Sequence, residues 1–205
     1  METGKIQSTA AYMTSKKQIF ICRALTIALC LLLTPGCVSH RPGFIPNSMQ
    51  AAGPPPLTPP PGKCLVFFHN NTLFSYTSTA VWDGTNFIAA VANRQSAAAV
   101  FDPGEHMFAS RFLGRCVSVI EADLLPDQIY DIAAFKYLYL TPVKRGEKEH
   151  DLVSQWMKDA IWVTRGPNAA AFETKHKGYI MKMITASTVG NKKDQLLHLA
   201  PEDHR

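Results

Sequence analysis

Apolar and polar positions fall into three rhythms along this chain. From Cys64 to Val143, short apolar or alternating runs are punctuated by turn residues, the spacing of an all-β sandwich. Cys64-Leu65-Val66-Phe67-Phe68-His69 stops at Asn70-Asn71. Thr79 to Trp82 meets Asp83-Gly84, a short-hairpin signal, and Asn86 to Val91 returns. Ala97 to Phe101 precedes Asp102-Pro103-Gly104-Glu105, where Pro and Gly occupy the central turn positions that suit their backbones. Glu105 to Phe112 then alternates, setting His106, Phe108, Ser110 and Phe112 on one face. Cys116–Glu121, Ile129–Phe135 and Tyr137–Leu140 complete seven or eight strands. The pattern predicts a mainly β fold over 64–143: an Ig-like or transthyretin-like antiparallel β-sandwich.

The second rhythm is helical. In Glu147–Val163, Leu152, Trp156 and Ala160 share a stripe with Val153 and Met157, the i, i+3/i+4 pattern of an amphipathic helix. Gly166-Pro167 breaks it, and Pro167 is suited to start a second helix running to about Thr188. That helix would bury Phe172, Tyr179, Ile180, Met183 and Ile184. Leu196, Leu197 and Leu199 then predict a short docked segment. Residues 147–205 therefore read as a C-terminal pair of α-helices docked on the sandwich. Trp156 and Trp162, six apart, would take different helix faces, one on the sheet and one left for a partner.

The third rhythm lies at the front. Lys16, Lys17 and Arg23 precede a ten-residue apolar core, Ala24 to Leu33, closed by Pro35-Gly36-Cys37. The core is about half of what a spanning helix needs and within the range of a secretory signal. Its end resembles the lipobox of bacterial lipoproteins, in which the cysteine after a small residue takes diacylglycerol and becomes the mature first residue. Gly36 and Cys37 match that pattern, while Thr34 and Pro35 depart from it. The resemblance implies a signal peptide over 1–36, a lipidated Cys37 and a durable acyl tether. Met13 begins a more typical signal than Met1. Residues 38–63 hold eight prolines, including Pro54-Pro55-Pro56 and Pro59-Pro60-Pro61. Such a stretch reads as an extended spacer, so 37–63 is expected to be lipidated Cys plus tether.

Charge changes the picture once the signal is set aside. Of the net +5, three positive charges reside in 1–36, leaving the rest near +2 with its basic residues scattered. Nucleic-acid binding needs a basic patch or stripe, which argues against that class. Of five cysteines, only Cys64 and Cys116 remain besides Cys37. In an oxidising compartment they can pair as a disulfide; as openers of apolar runs, each equally suits a buried reduced thiol.

With these residues in hand, the mature chain resembles bacterial envelope lipoproteins carrying the domain of unknown function 2846. The resemblance rests on Leu65-Val66-Phe67-Phe68, Trp82-Asp83-Gly84, Asp102-Pro103-Gly104-Glu105-His106, Ile129-Tyr130 and Leu199-Ala200-Pro201-Glu202-Asp203. It implies a small β-sandwich on the periplasmic side of the envelope and carries no catalytic roles with it.

Candidate chemistry is sparse. His69, His106, His150, His176, His198 and His204 are widely separated, without zinc-type spacing. Neighbours Glu105 and His106 point to opposite faces of a strand, so His106 is expected to pin its turn by hydrogen bonds. Asp83 and Asp102 fall at turns, Glu121 and Asp123 near a strand end as a solvated pair, and Ser110 and Ser118 lack a positioned base. No metal, cofactor or catalytic residue is expected. Trp82, Phe87, Phe101, Tyr130, Tyr137 and Tyr139 should mostly fill the core, with Tyr137 and Tyr139 able to form an exposed patch. The expectation is a non-enzymatic binding or structural lipoprotein, membrane-held through Cys37 and engaging an envelope protein partner. Val38 after the cysteine, rather than Asp, points to the outer membrane, facing the periplasm. The alternative is a periplasmic small-ligand binder or hydrolase with its site between sandwich and tail. A deep pocket of convergent polar side chains would favour the alternative.

Overall fold

A computed structural model describes residues 46–72, 78–112, 115–134, 139–189 and 196–205, the side chains of 112 and 115–117 excepted. The signal segment, Cys37, Tyr137 and the side chain of Cys116 lie outside the described residues. The architecture is a mainly β sandwich of two sheets with two α-helices. One sheet runs β1 (Met49–Ala51), β10 (Ile161–Arg165), β5 (Gln95–Phe101), β2 (Cys64–Asn70), β8 (Ile129–Ala134), β9 (Thr141–Pro142). The other runs β11 (Leu197–Leu199), β7 (Arg115–Leu124), β6 (Gly104–Phe112), β3 (Thr79–Asp83), β4 (Asn86–Val91). Helix α1 is Lys148–Asp159 and helix α2 is Ala169–Thr188.

Strand alternation explains the layering. Val66, Phe68, Phe101, Phe108, Ile120, Leu124, Tyr130 and Ile132 fill the space between the sheets. Phe68, Phe101 and Phe108 meet edge to face at 5.2–6.4 Å, a geometry that suits aromatic quadrupoles. The opposite side of β2 carries Leu65 and Phe67, which pack with Trp162 and Met157 under α1. The outward side of the second sheet carries Trp82, Phe87, Ala109 and Val119, which pack with Phe172, Ile180, Met183 and Ile184 of α2. Each helix thus covers one outer face of the sandwich. Trp82 and Phe87, expected in the core, are fully buried there, but beneath α2 rather than between the sheets.

Three features differ from the pattern read along the chain. The sheets are mixed: β2–β8, β5–β10 and β7–β11 are parallel pairs. Each partner returns after a long excursion, and such crossovers bring strands back in the same direction. The helical stripe drawn through Val163 ends at Asp159, and Ile161–Arg165 is strand β10. Its Trp162 faces Phe67 at 5.7 Å, so both tail tryptophans dock on the sheet. The proline-rich stretch read as tether contains β1, whose Met49 is 5 % exposed in the α2-side core. Gly166 permits this contact, since a Cβ there would lie 2.8 Å from the Met49 carbonyl carbon.

Cys64 is a free, buried thiol. Burial pushes its pKa up, against the lowering effect of backbone hydrogen bonding. Cys64 is thus not in a disulfide, and the side chain of Cys116, the partner the sequence offered, lies outside the described residues.

Candidate functional site

The side chains that converge come from residues far apart in sequence. His69 is next to last in β2, Ser96 is second in β5 and Asp131 sits in β8, on three adjacent strands of one sheet. Register places Ser96 directly opposite His69. His69 Nδ1 lies 2.8 Å from Ser96 Oγ, and Nε2 lies 2.9 Å from Asp131 Oδ1. All three residues are at most 2 % exposed. A carboxylate only accepts, so Nε2 carries the proton; in the neutral ring, Nδ1 accepts from the Ser96 hydroxyl.

Asp131 is held from its other side by Arg205. The guanidinium donates from Nε to Oδ2 and from Nη2 to Oδ1, a bidentate fork. Arg205 also lies over the Phe67 ring at 4.7 Å, and its backbone N–H donates to the Ile129 carbonyl. Burial alone would raise the Asp131 pKa; hydrogen bonds from Arg205 and His69 outweigh it and hold the carboxyl below its ordinary value. The last residues are anchored along β8 in other ways too. The Tyr130 hydroxyl accepts from the Leu125 N–H and donates to the Pro201 carbonyl.

A cleft of about 330 Å³ opens above the Ser96–His69 end, between the first sheet and α1. His69 and Ser96 form its base, and Trp156 of α1 faces the His69 ring at 6.1 Å. Asn71 and Arg94 lie on the sheet side, Gln155 and Asp159 on the helix side. Arg94 and Asp159 are exposed, and neither side chain has an ionic or hydrogen-bonding partner among the described residues. Arg94 takes a left-handed φ of 61°, uncommon outside glycine and asparagine. The local reason is the tight turn from Ala92 to Gln95. Arg94 N–H donates to Asn70 and its carbonyl accepts from Ile161, tying β2 to β10. That turn aims the side chain at the cleft mouth.

The histidine singled out from the sequence does pin its turn. His106 Nδ1 lies 2.9 Å from Asp83 Oδ2, and Nε2 lies 2.8 Å from the Asp102 carbonyl. Asp83 also accepts from the Met107 N–H, so His106 joins two turns at one end of the core. Asp102 pairs with Lys63, which lowers its pKa. Glu121 and Asp123 share a face as expected and are joined by Glu105, directly opposite Asp123. With His198, whose Nδ1 lies 3.4 Å from Glu121, they line an open groove of about 630 Å³. Among the described residues no group of three or more His, Cys, Asp or Glu side chains has the arrangement to hold a metal. Ser110 and Ser118 bond each other at 2.6 Å between the sheets. Tyr139 is 49 % exposed.

His69, Ser96, Asp131 and Arg205 did not stand out in the pattern along the chain. One signal was available: Asp131 interrupts the apolar strand Ile129–Ala134, and a buried acid demands a partner. The chain matches no protein-family model and no curated protein, so the site is read from its own residues.

Proposed function

We propose that the protein is a lipid-anchored lipoprotein of the bacterial envelope, outer membrane and periplasm-facing, whose body binds a small polar ligand in the cleft between the first sheet and α1. The anchor reading is supported by the apolar segment ending at Gly36-Cys37. Among the described residues, no helix is long and apolar enough to cross a membrane. Replacing Cys37 by Ser is expected to abolish acylation and to release the protein from membranes. Unchanged membrane partition of that variant refutes the anchor.

The observation that carries the binding reading is the convergence of polar groups around a recess of ligand size. His69 and Ser96 are fixed at its base by the Asp131–Arg205 pair. Arg94 and Asp159 offer an unpaired cation and anion on opposite walls, with Trp156 as an apolar face between them. Such a set matches a zwitterion, an amino acid or short peptide whose carboxylate meets Arg94 and whose amine meets Asp159. Titration calorimetry of the full chain against free amino acids and dipeptides tests this. Saturable binding that Arg94→Ala and Asp159→Ala each weaken by about tenfold or more, the scale of one charge-assisted contact, is expected. No binding across the panel, or binding indifferent to both substitutions, contradicts it.

Hydrolysis is the second reading, favoured by the order Ser96–His69–Asp131. Three observations weigh against it. Ser96 is 2 % exposed and lies within a paired strand rather than on a turn, and the Asp131 behind its His69 partner is already paired with Arg205. Acyl transfer also needs donors aimed at a developing oxyanion, and the Arg94 and Gln95 N–H groups are already bonded to Asn70 and Ala92. Labelling of Ser96 by a fluorophosphonate would reverse this preference.

A further inference from the structure

Strand β1 shortens the stretch of sequence between Cys37 and the first paired strand. The described residues begin at Pro46, and the chain pairs with β10 from Met49 onward. Only the 11 residues 38–48 separate Cys37 from β1, a reach of roughly 36–40 Å even when fully extended. The attachment point adjoins the start of α2: Gly166 N–H donates to the Ser48 carbonyl, and Met49 packs in one cluster with Ala169.

Helix α2 is unusual for a helix exposed on one side. Its twenty residues bury only Ala169 and Ile180. Its exposed side chains include Lys175, Tyr179 (42 % exposed) and Lys182 on one flank and Lys177 and Met181 (52 %) on the other, with Val189 (68 %) just past its end; Arg111 lies over the Tyr179 ring at 5.3 Å. A Cβ at Gly178 would meet nothing within 4 Å, as befits the same open side. The helix holds one acid, Glu173, which is half-buried and bonded to Arg165. Cationic and apolar side chains without acids are the composition of a helix lying on an anionic bilayer surface. The acidic groove of Glu105, Glu121 and Asp123 occupies the uncovered remainder of the sheet face beneath.

We infer that the outward side of α2 rests on the anionic phospholipid surface to which Cys37 is attached. The inference rests on the anchor reading above for its geometry. In this orientation α1 and its cleft, on the opposite face of the sandwich, look away from the membrane.

The full chain, acylated and reconstituted into vesicles, provides the test through amine labelling read residue by residue. On phosphatidylglycerol vesicles, labelling of Lys175, Lys177 and Lys182 is expected to fall by about threefold or more relative to phosphatidylcholine, an electrostatic preference that salt removes. Lys148 and Lys158 of α1 serve as internal controls and stay unchanged. Peroxide oxidation of Met181 reads the same face, and its protection should vanish when all three lysines become Gln. Equal labelling on both lipids by protein whose Cys37 is acylated overturns the inference and leaves the anchor standing. Protection by protein whose Cys37 has an unmodified mass refutes the anchor and retains the lipid-facing helix. Protection in detergent without vesicles assigns the face to a second copy and overturns the inference.

Discussion

Asp131 occupies the middle of an apolar strand, between Tyr130 and Ile132, and is 2 % exposed. A carboxylate there is tolerable only because Arg205 and His69 donate to it. Removing one member of such a buried set leaves charge without compensation, so Asp131→Ala should cost about 3–5 kcal/mol of unfolding free energy by urea denaturation. A cost below about 1 kcal/mol, that of an exposed pair, would contradict the burial argument. The pH dependence has a definite sign. The folded pKa lies below the ordinary 3.8, so the folded state binds this proton less readily than the unfolded chain. Its contribution is fully present above 3.8 and is lost as pH falls below that toward the folded value. Urea midpoints should show no loss from this group between pH 7 and 5 and a fall in more acid solution that Asp131→Asn abolishes.

Among the elements, β1 is the clearest case of a short segment with structural weight. It pairs with β10 over three residues and buries Met49. The close approach needs Gly166, where a Cβ would collide with Met49 backbone atoms at 2.8 and 2.9 Å. Gly166→Ala should therefore destabilise by about 1–3 kcal/mol, the usual range for overpacking. Hydrogen exchange should quicken over residues 49–51 first; unchanged exchange there would refute the contact. The strands from β2 to β8 were legible because alternation and turn residues are local signals, and Asp83-Gly84 and Pro103-Gly104 mark their turns faithfully; the run Tyr137–Leu140 misled, since 139–140 are not strand and β9 is Thr141–Pro142. Met49–Ala51 and Ile161–Arg165 were not. Three residues give no measurable period, and Ala160 to Val163 extend the apolar stripe of α1 without a break. Each becomes a strand only because the other is there to pair with it. The site was hidden for the same reason. His69, Ser96 and Asp131 meet across strand neighbours set by long crossovers, which no local pattern reports, whereas His106 and its turns are close in sequence and were readable.

At the scale of the molecule, four layers follow one another: α1, the β2-containing sheet, the β7-containing sheet and α2. The two outer faces differ in character. The α1 side holds the polar cleft over a fixed base of buried hydrogen bonds, while the α2 side presents exposed lysines with Tyr179 and Met181. On the proposed function, such a body would separate attachment from recognition. The claim on which this depends is that the α1 cleft receives a ligand. The chain has three tryptophans, and only Trp156 lines that cleft; Trp82 and Trp162 are buried elsewhere. Following the three indole N–H resonances during titration with amino acids and dipeptides therefore tests the claim directly. A saturable shift of Trp156 alone, lost in Arg94→Ala, is the predicted result. Three unmoved resonances across the panel, or a shift shared equally by all three, would contradict it.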